Sequence, residues 1–139
     1  MNTNILAKAE ELQSIIRWKI FHGKIDYLQT RAASDYAWEE PIDFIATYVH
    51  DYKMICYNVP ILEEEDNELL AQVVFHEMLH SWCSDHGIKS TKGNYHTAAF
   101  KKAAEKHGAE CRKGKNEDGY CITLLNEKDL KEILAEMKT

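Results

Sequence analysis

Leu69-Leu70-Ala71-Gln72-Val73-Val74-Phe75-His76-Glu77-Met78-Leu79-His80-Ser81-Trp82-Cys83-Ser84-Asp85 carries apolar residues at helical spacing and two histidines on the other side of the wheel. Ala71, Phe75, Met78, Leu79 and Trp82 share one face, with Val74 next to them, so this helix is expected to bury one side. At about 100° and 1.5 Å per residue, His76 and His80 differ by about 40° around the axis and about 6 Å along it, so both imidazoles can reach one ion. Glu77 lies about 100° from His76, beside the pair, where a carboxylate can hydrogen-bond a metal's water without binding the metal. The run His76-Glu77-Met78-Leu79-His80 therefore has the spacing of two zinc ligands and a general base. The plainer alternative is an i,i+4 histidine pair on a solvated helix surface. Against it, two imidazoles and a carboxylate on the remaining face of a core helix need a partner, and a metal supplies one.

Outward from this stretch, the acidic run Glu63-Glu64-Glu65-Asp66-Asn67 offers N-cap candidates and favourable charge at the helix start, and Gly87 is placed to end it. Upstream, Ile42 to His50 and Lys53 to Asn58 are rich in β-branched and aromatic residues and flank Asp51-Tyr52, which predicts an antiparallel hairpin stopped by Pro60. Ile5, Ala9, Leu12, Ile16 and Ile20 form the stripe of an N-terminal helix over 5–21, closed by His22-Gly23. Between them, Ile25 to Leu28 reads as a short strand and 32–35 as a polar loop. Downstream, a polar loop at 88–93 leads to a helix that Asn94 can cap and Gly108 can close. A polar, Gly-containing stretch then precedes a short strand at 120–125 and a last helix at 127–137.

A third ligand must come from His86, His96 or His107. His86 points away from His80 if the helix runs on to Gly87. His96 and His107 share a face of the next helix but lie about 16 Å apart along it, so one ion can take only one of them. His96, at the first turn after a flexible loop, can be brought back over the His76/His80 face. His86 keeps one claim: His76, His80 and His86 have the spacing of the metzincin zinc peptidases, although Cys83 stands where that pattern has Gly.

The chain has 139 residues and is 45% hydrophobic, enough for one core and too short for two ordinary ones, so 1–139 is expected to be a single domain. A net charge of -6 argues against non-specific affinity for nucleic acid or an anionic membrane. The exception is 101–115, with Lys101, Lys102, Lys106, Arg112, Lys113 and Lys115 against Glu105 and Glu110, which reads first as a solvated helix face. No basic stretch followed by an apolar run opens the chain, and no apolar segment approaches the roughly 18 to 20 residues that span a bilayer, so a cytoplasmic protein with no membrane partner is expected. Cys56, Cys83, Cys111 and Cys121 contain no Cys-x-x-Cys pair and are expected to be free thiols.

Val73-Val74-Phe75-His76-Glu77-Met78-Leu79-His80, followed after a loop by His96-Thr97-Ala98-Ala99-Phe100, resembles the SprT-like (Spartan-type) zinc metallopeptidases. That family's second element is a His with an aromatic four residues on, usually with Gly directly after the His, where this chain has Thr97. Met54-Ile55-Cys56-Tyr57-Asn58-Val59-Pro60 resembles the strand and Asn-Pro element ahead of the family's active-site helix, with Val59 interposed. The resemblance runs from about Ile5 to Gly108. It implies an α+β, minigluzincin-like core: an N-terminal helix, a small antiparallel sheet, the metal helix and a helix delivering the third histidine. It also implies one Zn2+ on His76, His80 and His96, Glu77 as catalytic base, and peptide-bond hydrolysis in a protein or peptide substrate. DNA-linked specificity in the family comes with DNA-binding extensions and sometimes a C-terminal zinc ribbon. Cys111 and Cys121 are two cysteines where a ribbon needs four.

Tyr95 and Tyr120 are candidates for stabilising an oxyanion, with half-buried packing as their ordinary role. Cys83 falls within about 20° of His76 on the wheel and is otherwise a small buried residue. Trp18, Trp38 and Trp82 read as core or groove wall, and His22, His50 and His107 as surface or structural. Two other function classes stay open: a metzincin-like peptidase using His86, and a non-catalytic zinc-stabilised module, with DNA as its possible partner through the 101–115 cluster. Glu77 separates enzyme from module, since a structural zinc has no use for an unligated carboxylate there.

Overall fold

The computed structural model describes residues 4–93, 95–113 and 120–139, the last with side chains from residue 123 onward. Helices α1 (Ile5–Lys19), α3 (Asn67–Asp85) and α5 (Glu127–Glu136) pack against one another, and α1 and α3 also pack on a three-stranded sheet. The sheet holds β1 (Gln29–Ala32), β2 (Ala46–Val49) and β3 (Met54–Tyr57) in the order β1-β3-β2. A one-turn helix α2 (Val59–Leu62), with Pro60 in its first turn, leads from β3 to α3. After α3 come a two-residue ribbon of β4 (Thr91–Lys92) and β5 (Tyr95–His96), helix α4 (Ala98–Lys106), and a hairpin of β6 (Glu110–Lys113) and β7 (Tyr120–Leu124). The architecture is α+β, as expected. Among the described residues no helix is long and apolar enough to cross a membrane.

Helix α3 follows its sequence closely. The Asp66 side chain accepts the Leu69 backbone N–H at 2.9 Å, satisfying one of the open donors of the first turn. At the other end Gly87 takes φ 67, and the N–H groups of Ile88 and Gly87 close onto Cys83 O and Ser84 O at 2.8 and 3.2 Å. Ile88 then packs on the core. Ala71, Val74, Phe75, Met78, Leu79 and Trp82 are buried against Leu12 and Ile16 of α1, Phe100 of α4 and Ile133 of α5 in one cluster. The α1 stripe Ile5, Ala9, Leu12, Ile16 and Ile20 is likewise buried.

The sheet differs from expectation at its first strand. Ladder pairing begins at Gln29, not at Ile25, and β1 runs parallel to β3, beside the predicted antiparallel β2/β3 pair. The cause lies in α1. Buried Gln13 takes both backbone groups of Leu28, accepting its N–H at 2.6 Å and donating to its carbonyl at 3.1 Å, while Arg17 Nε donates to Ile25 O at 2.6 Å. With both Leu28 backbone groups and the Ile25 carbonyl held by the helix, the two ends of 25–28 are withheld from a ladder, and Ile25 and Leu28 plug the core instead. The polar loop expected at 32–35 is a short 3-10 turn whose Ala33 is buried.

Three further differences have local causes. Helix α1 stops at Lys19, because His22 and Gly23 adopt φ 54 and φ 76 and the Gly23 N–H returns to Arg17 O at 2.9 Å. Helix α4 starts at Ala98, because Thr97 Oγ1 caps it by accepting the Phe100 N–H at 3.2 Å; the cap proposed for Asn94 lies outside the described residues. Trp18 is not core: it is 61% exposed and stacks beside Arg17, whereas Trp82 is buried and Trp38 packs edge-on to Phe44. Cys56, Cys83 and Cys111 are buried free thiols; Cys121 and its side chain lie outside the described side chains.

Candidate metal centre

The exposed side of α3 meets the β4/β5 ribbon, and there three imidazoles converge. His80 Nε2 lies 3.2 Å from His76 Nε2 and 3.1 Å from His96 Nε2. Nitrogens of a tetrahedral zinc site with Zn–N of about 2.0–2.1 Å stand about 3.3–3.4 Å apart, so the three ring atoms already sit close to a common coordination sphere. Among the described residues, His76, His80 and His96 form the group able to hold a metal ion. The chemistry of the donors fits as well. Burial, followed by the charges of His80 and His96, holds the His76 pKa well below its usual range, and burial with His96 lowers His80 to about 3. Both rings are therefore neutral ligands at physiological pH.

His96 arrives differently from the expectation. It does not sit in the first turn of a helix but in β5, paired with Thr91 one residue ahead of the Thr97 cap. Thr97 fixes that junction twice, its hydroxyl donating to Lys89 O at 2.7 Å and its N–H to Ser90 O at 3.0 Å. A Gly at this position would supply neither the cap nor the hydroxyl contact. One turn into α4, Phe100 is fully buried and lies against all three imidazoles, with ring centroids 5.2 Å from His76, 4.7 Å from His80 and 4.6 Å from His96. Its ring forms the apolar floor that limits where the imidazoles can turn.

The outward nitrogens of two of these rings have partners the sequence did not disclose. His76 Nδ1 faces Thr123 Oγ1 at 3.2 Å, and His80 Nδ1 faces Ser90 Oγ at 3.0 Å. Such contacts fix ring orientation and leave Nε2 as the ligand atom. Thr123 is 47 residues from His76, and no local pattern links the two. Ser90 lies in the loop between the helices and is indistinguishable in sequence from any other loop serine.

Glu77 is 8% exposed, and burial raises its carboxyl pKa to about 8, partly offset by the Tyr48 backbone N–H that donates to it. Its Oε2 lies 4.0 Å from His76 Nε2, beside the trio and not within it. A bound dication would favour the ionised form of a carboxylate so placed. The donor, Tyr48, is in β2, an edge strand paired only with β3 among the described residues. The site is thus bounded by a helix, a strand edge and a ribbon.

The remaining candidates lie elsewhere. His86 Nδ1 bonds Trp82 O at 2.8 Å and its ring stacks on Trp82 at 4.1 Å, which places it outside the cluster and removes the structural basis for the metzincin pattern. His107 bonds Ala103 O and packs between Phe21 and Trp82, while His22 and His50 are exposed. Cys83 is buried in the core, where its thiol is pushed up to about 11. Tyr95 follows the ribbon's alternation onto the face opposite His96 and is 45% exposed; the Tyr120 side chain lies outside the described residues.

The SprT-like family model matches the chain over residues 7–132, reaching past Gly108 through β6, β7 and most of α5. No curated protein and no solved structure matches it significantly. Because the match takes in the histidine trio, the sheet and the hairpin that carries Thr123, this protein belongs to the SprT-like family.

Proposed function

We propose that this chain is a zinc-dependent peptidase in which His76, His80 and His96 hold the ion and Glu77 is the general base. The observation that carries the reading is Glu77, a buried carboxylate beside three converging imidazoles yet outside their donor set. When bound, zinc supplies Lewis-acid polarisation of the scissile carbonyl and an acidic water near neutral pH. Glu77 accepts the proton of the attacking water and passes it to the leaving amide nitrogen, while the Tyr48 N–H keeps its carboxylate aimed. The free edge of β2 next to Glu77 supports an extended peptide or unfolded protein segment as substrate, held by main-chain hydrogen bonds. The free thiols of Cys56, Cys83 and Cys111 support a reducing, cytoplasmic setting.

Zinc content by elemental analysis, measured with cleavage of an unfolded protein, tests the reading. Wild type is expected to hold one ion and cleave. The Glu77→Gln variant should keep the ion and lose about 10²–10⁴ in rate, and His96→Ala should lose the ion where His86→Ala keeps it. Wild-type protein that binds zinc stoichiometrically and cleaves nothing would leave a non-catalytic module as the better account.

A further inference from the structure

We propose that the cleft at Glu77 chooses its bond by polarity: a bulky apolar residue on one side of the bond that is cut, and a small or polar residue on the other. The inference rests on the peptidase reading above and deepens it. Two cavities flank Glu77, and Glu77 lines both. The larger, about 390 Å³, continues from His76 and is walled by Ile45 just before β2, Ala46 at its start, Leu69 and Val73 of α3, and Leu124 of β7. Its polar atoms are largely engaged. Gln72 Oε1 accepts the Leu125 N–H at 2.7 Å, and Thr123 Oγ1 faces His76 Nδ1. A polar side chain entering this space would lose its water for few partners, whereas an apolar one loses nothing and covers the wall.

The other cavity, about 260 Å³, continues from His80 and is walled by Thr47, Tyr48, His50, Ser84, Ser90 and Thr91. Ser90 Oγ and His50 Nδ1 already face His80 Nδ1 and Tyr48 Oη, each at 3.0 Å, but each hydroxyl can take a further bond, so this hydroxyl-rich wall can satisfy a polar or small residue that an apolar one would leave desolvated. The segment 45–50 that contains β2 passes both cavities in sequence, Ile45 and Ala46 at the first, Thr47, Tyr48 and His50 at the second. A peptide along that strand therefore meets one apolar and one polar compartment on the two sides of Glu77.

The experiment sequences, by mass spectrometry, every bond cut in a denatured protein by the zinc-loaded enzyme. It then compares peptides differing only in Leu, Phe, Ala or Asp at each flanking position. In parallel, anisotropy measures binding of the same dye-labelled peptides to the Glu77→Gln protein. Leu and Phe are expected to exceed Ala and Asp by at least about tenfold at one flanking position and not at the other. Val73→Phe and Ala46→Phe, which fill the apolar cavity from different elements, should each reverse the preference of Leu over Ala. Cleavage without a one-sided apolar preference, or a preference that neither filled variant alters, overturns the inference and leaves the peptidase reading intact. If no peptide is cut while Glu77→Gln still binds the Leu peptide at least about tenfold more tightly than the Ala one, the peptidase reading fails and the polarity of the cleft stands. Binding without preference in that case overturns both.

Discussion

In the presence of a chelator, Glu77, His76 and His80 together contribute a stability maximum near pH 6.5, and His107, whose pKa is also lowered by burial, adds to the fall on the acid side. Glu77 has a folded pKa of about 8 against an ordinary value of 4.5. Between pH 8 and about 6.5 the folded state therefore holds a proton that the unfolded chain lacks, and stability rises as pH falls, by up to about 1.4 kcal/mol per pH unit. Below about 6.5 the balance changes sign. The unfolded chain protonates His76 and His80, whose folded values lie well below 6.5 and at about 3 respectively, while the folded state still holds the Glu77 proton. From these three groups the unfolded state is then ahead by one proton, and their contribution falls by about 1.4 kcal/mol per unit, roughly 2.7 kcal/mol between pH 6.5 and 4.5. Below 4.5 the unfolded carboxyl is protonated too, and the slope doubles. Urea denaturation of the metal-free protein at constant ionic strength, followed by far-UV circular dichroism, reads this directly. Two variants isolate the groups: Glu77→Gln should remove the rise above pH 6.5 and steepen the slope below it by about 1.4 kcal/mol per unit, and His80→Gln should make the slope between 6.5 and 4.5 shallower by the same amount. Wild type and Glu77→Gln giving superimposable profiles would refute the buried-carboxyl argument.

Other outcomes follow from single contacts. Thr123→Val removes the hydroxyl facing His76 Nδ1 and should weaken zinc about 10–100-fold in competition with a chromophoric chelator, with the circular dichroism spectrum unchanged. Gln13→Leu strands the Leu28 N–H and carbonyl inside the core and should cost about 2–4 kcal/mol by chemical denaturation. Phe100→Ala opens the floor under the three imidazoles; a loss of about 3–5 kcal/mol in stability together with weaker zinc binding is expected, by denaturation and chelator competition. Gly108→Ala forces a side chain into φ 80 with Asn126 3.2 Å from the added carbon, and should lower the melting temperature by several degrees.

Helix α3 was readable because two independent periodicities agree on it: an apolar stripe that buries one side and an i,i+4 pair on the other. The same repeat that places Phe75 and Trp82 in the core dictates where His76 and His80 must look. The sequence points to His96 as the histidine that joins His76 and His80, and the structure brings the three together, with His96 in a strand instead of a helix. A two-residue strand has no periodicity to detect, and only the Thr97 cap marks where the helix begins. The first strand was displaced by four residues for a similar reason, since the ladder's start depends on what the Gln13 amide does 15 positions earlier. Thr123 was beyond sequence reasoning altogether. Nothing local distinguishes a strand threonine that orients an imidazole from one that faces water, and the resemblance drawn from motifs stopped at Gly108, short of the hairpin that carries it.

The bond between Thr123 and His76 also has a meaning in time. A ribosome adds about 5–20 residues per second, so the 47 residues separating the two represent about 2 to 9 s of synthesis. During that interval helix α3 exists without the hydroxyl that faces its first imidazole. The histidine cluster reaches its final arrangement only after the hairpin emerges, so each newly made chain passes through a period in which the three imidazoles are present but one lacks its orienting partner.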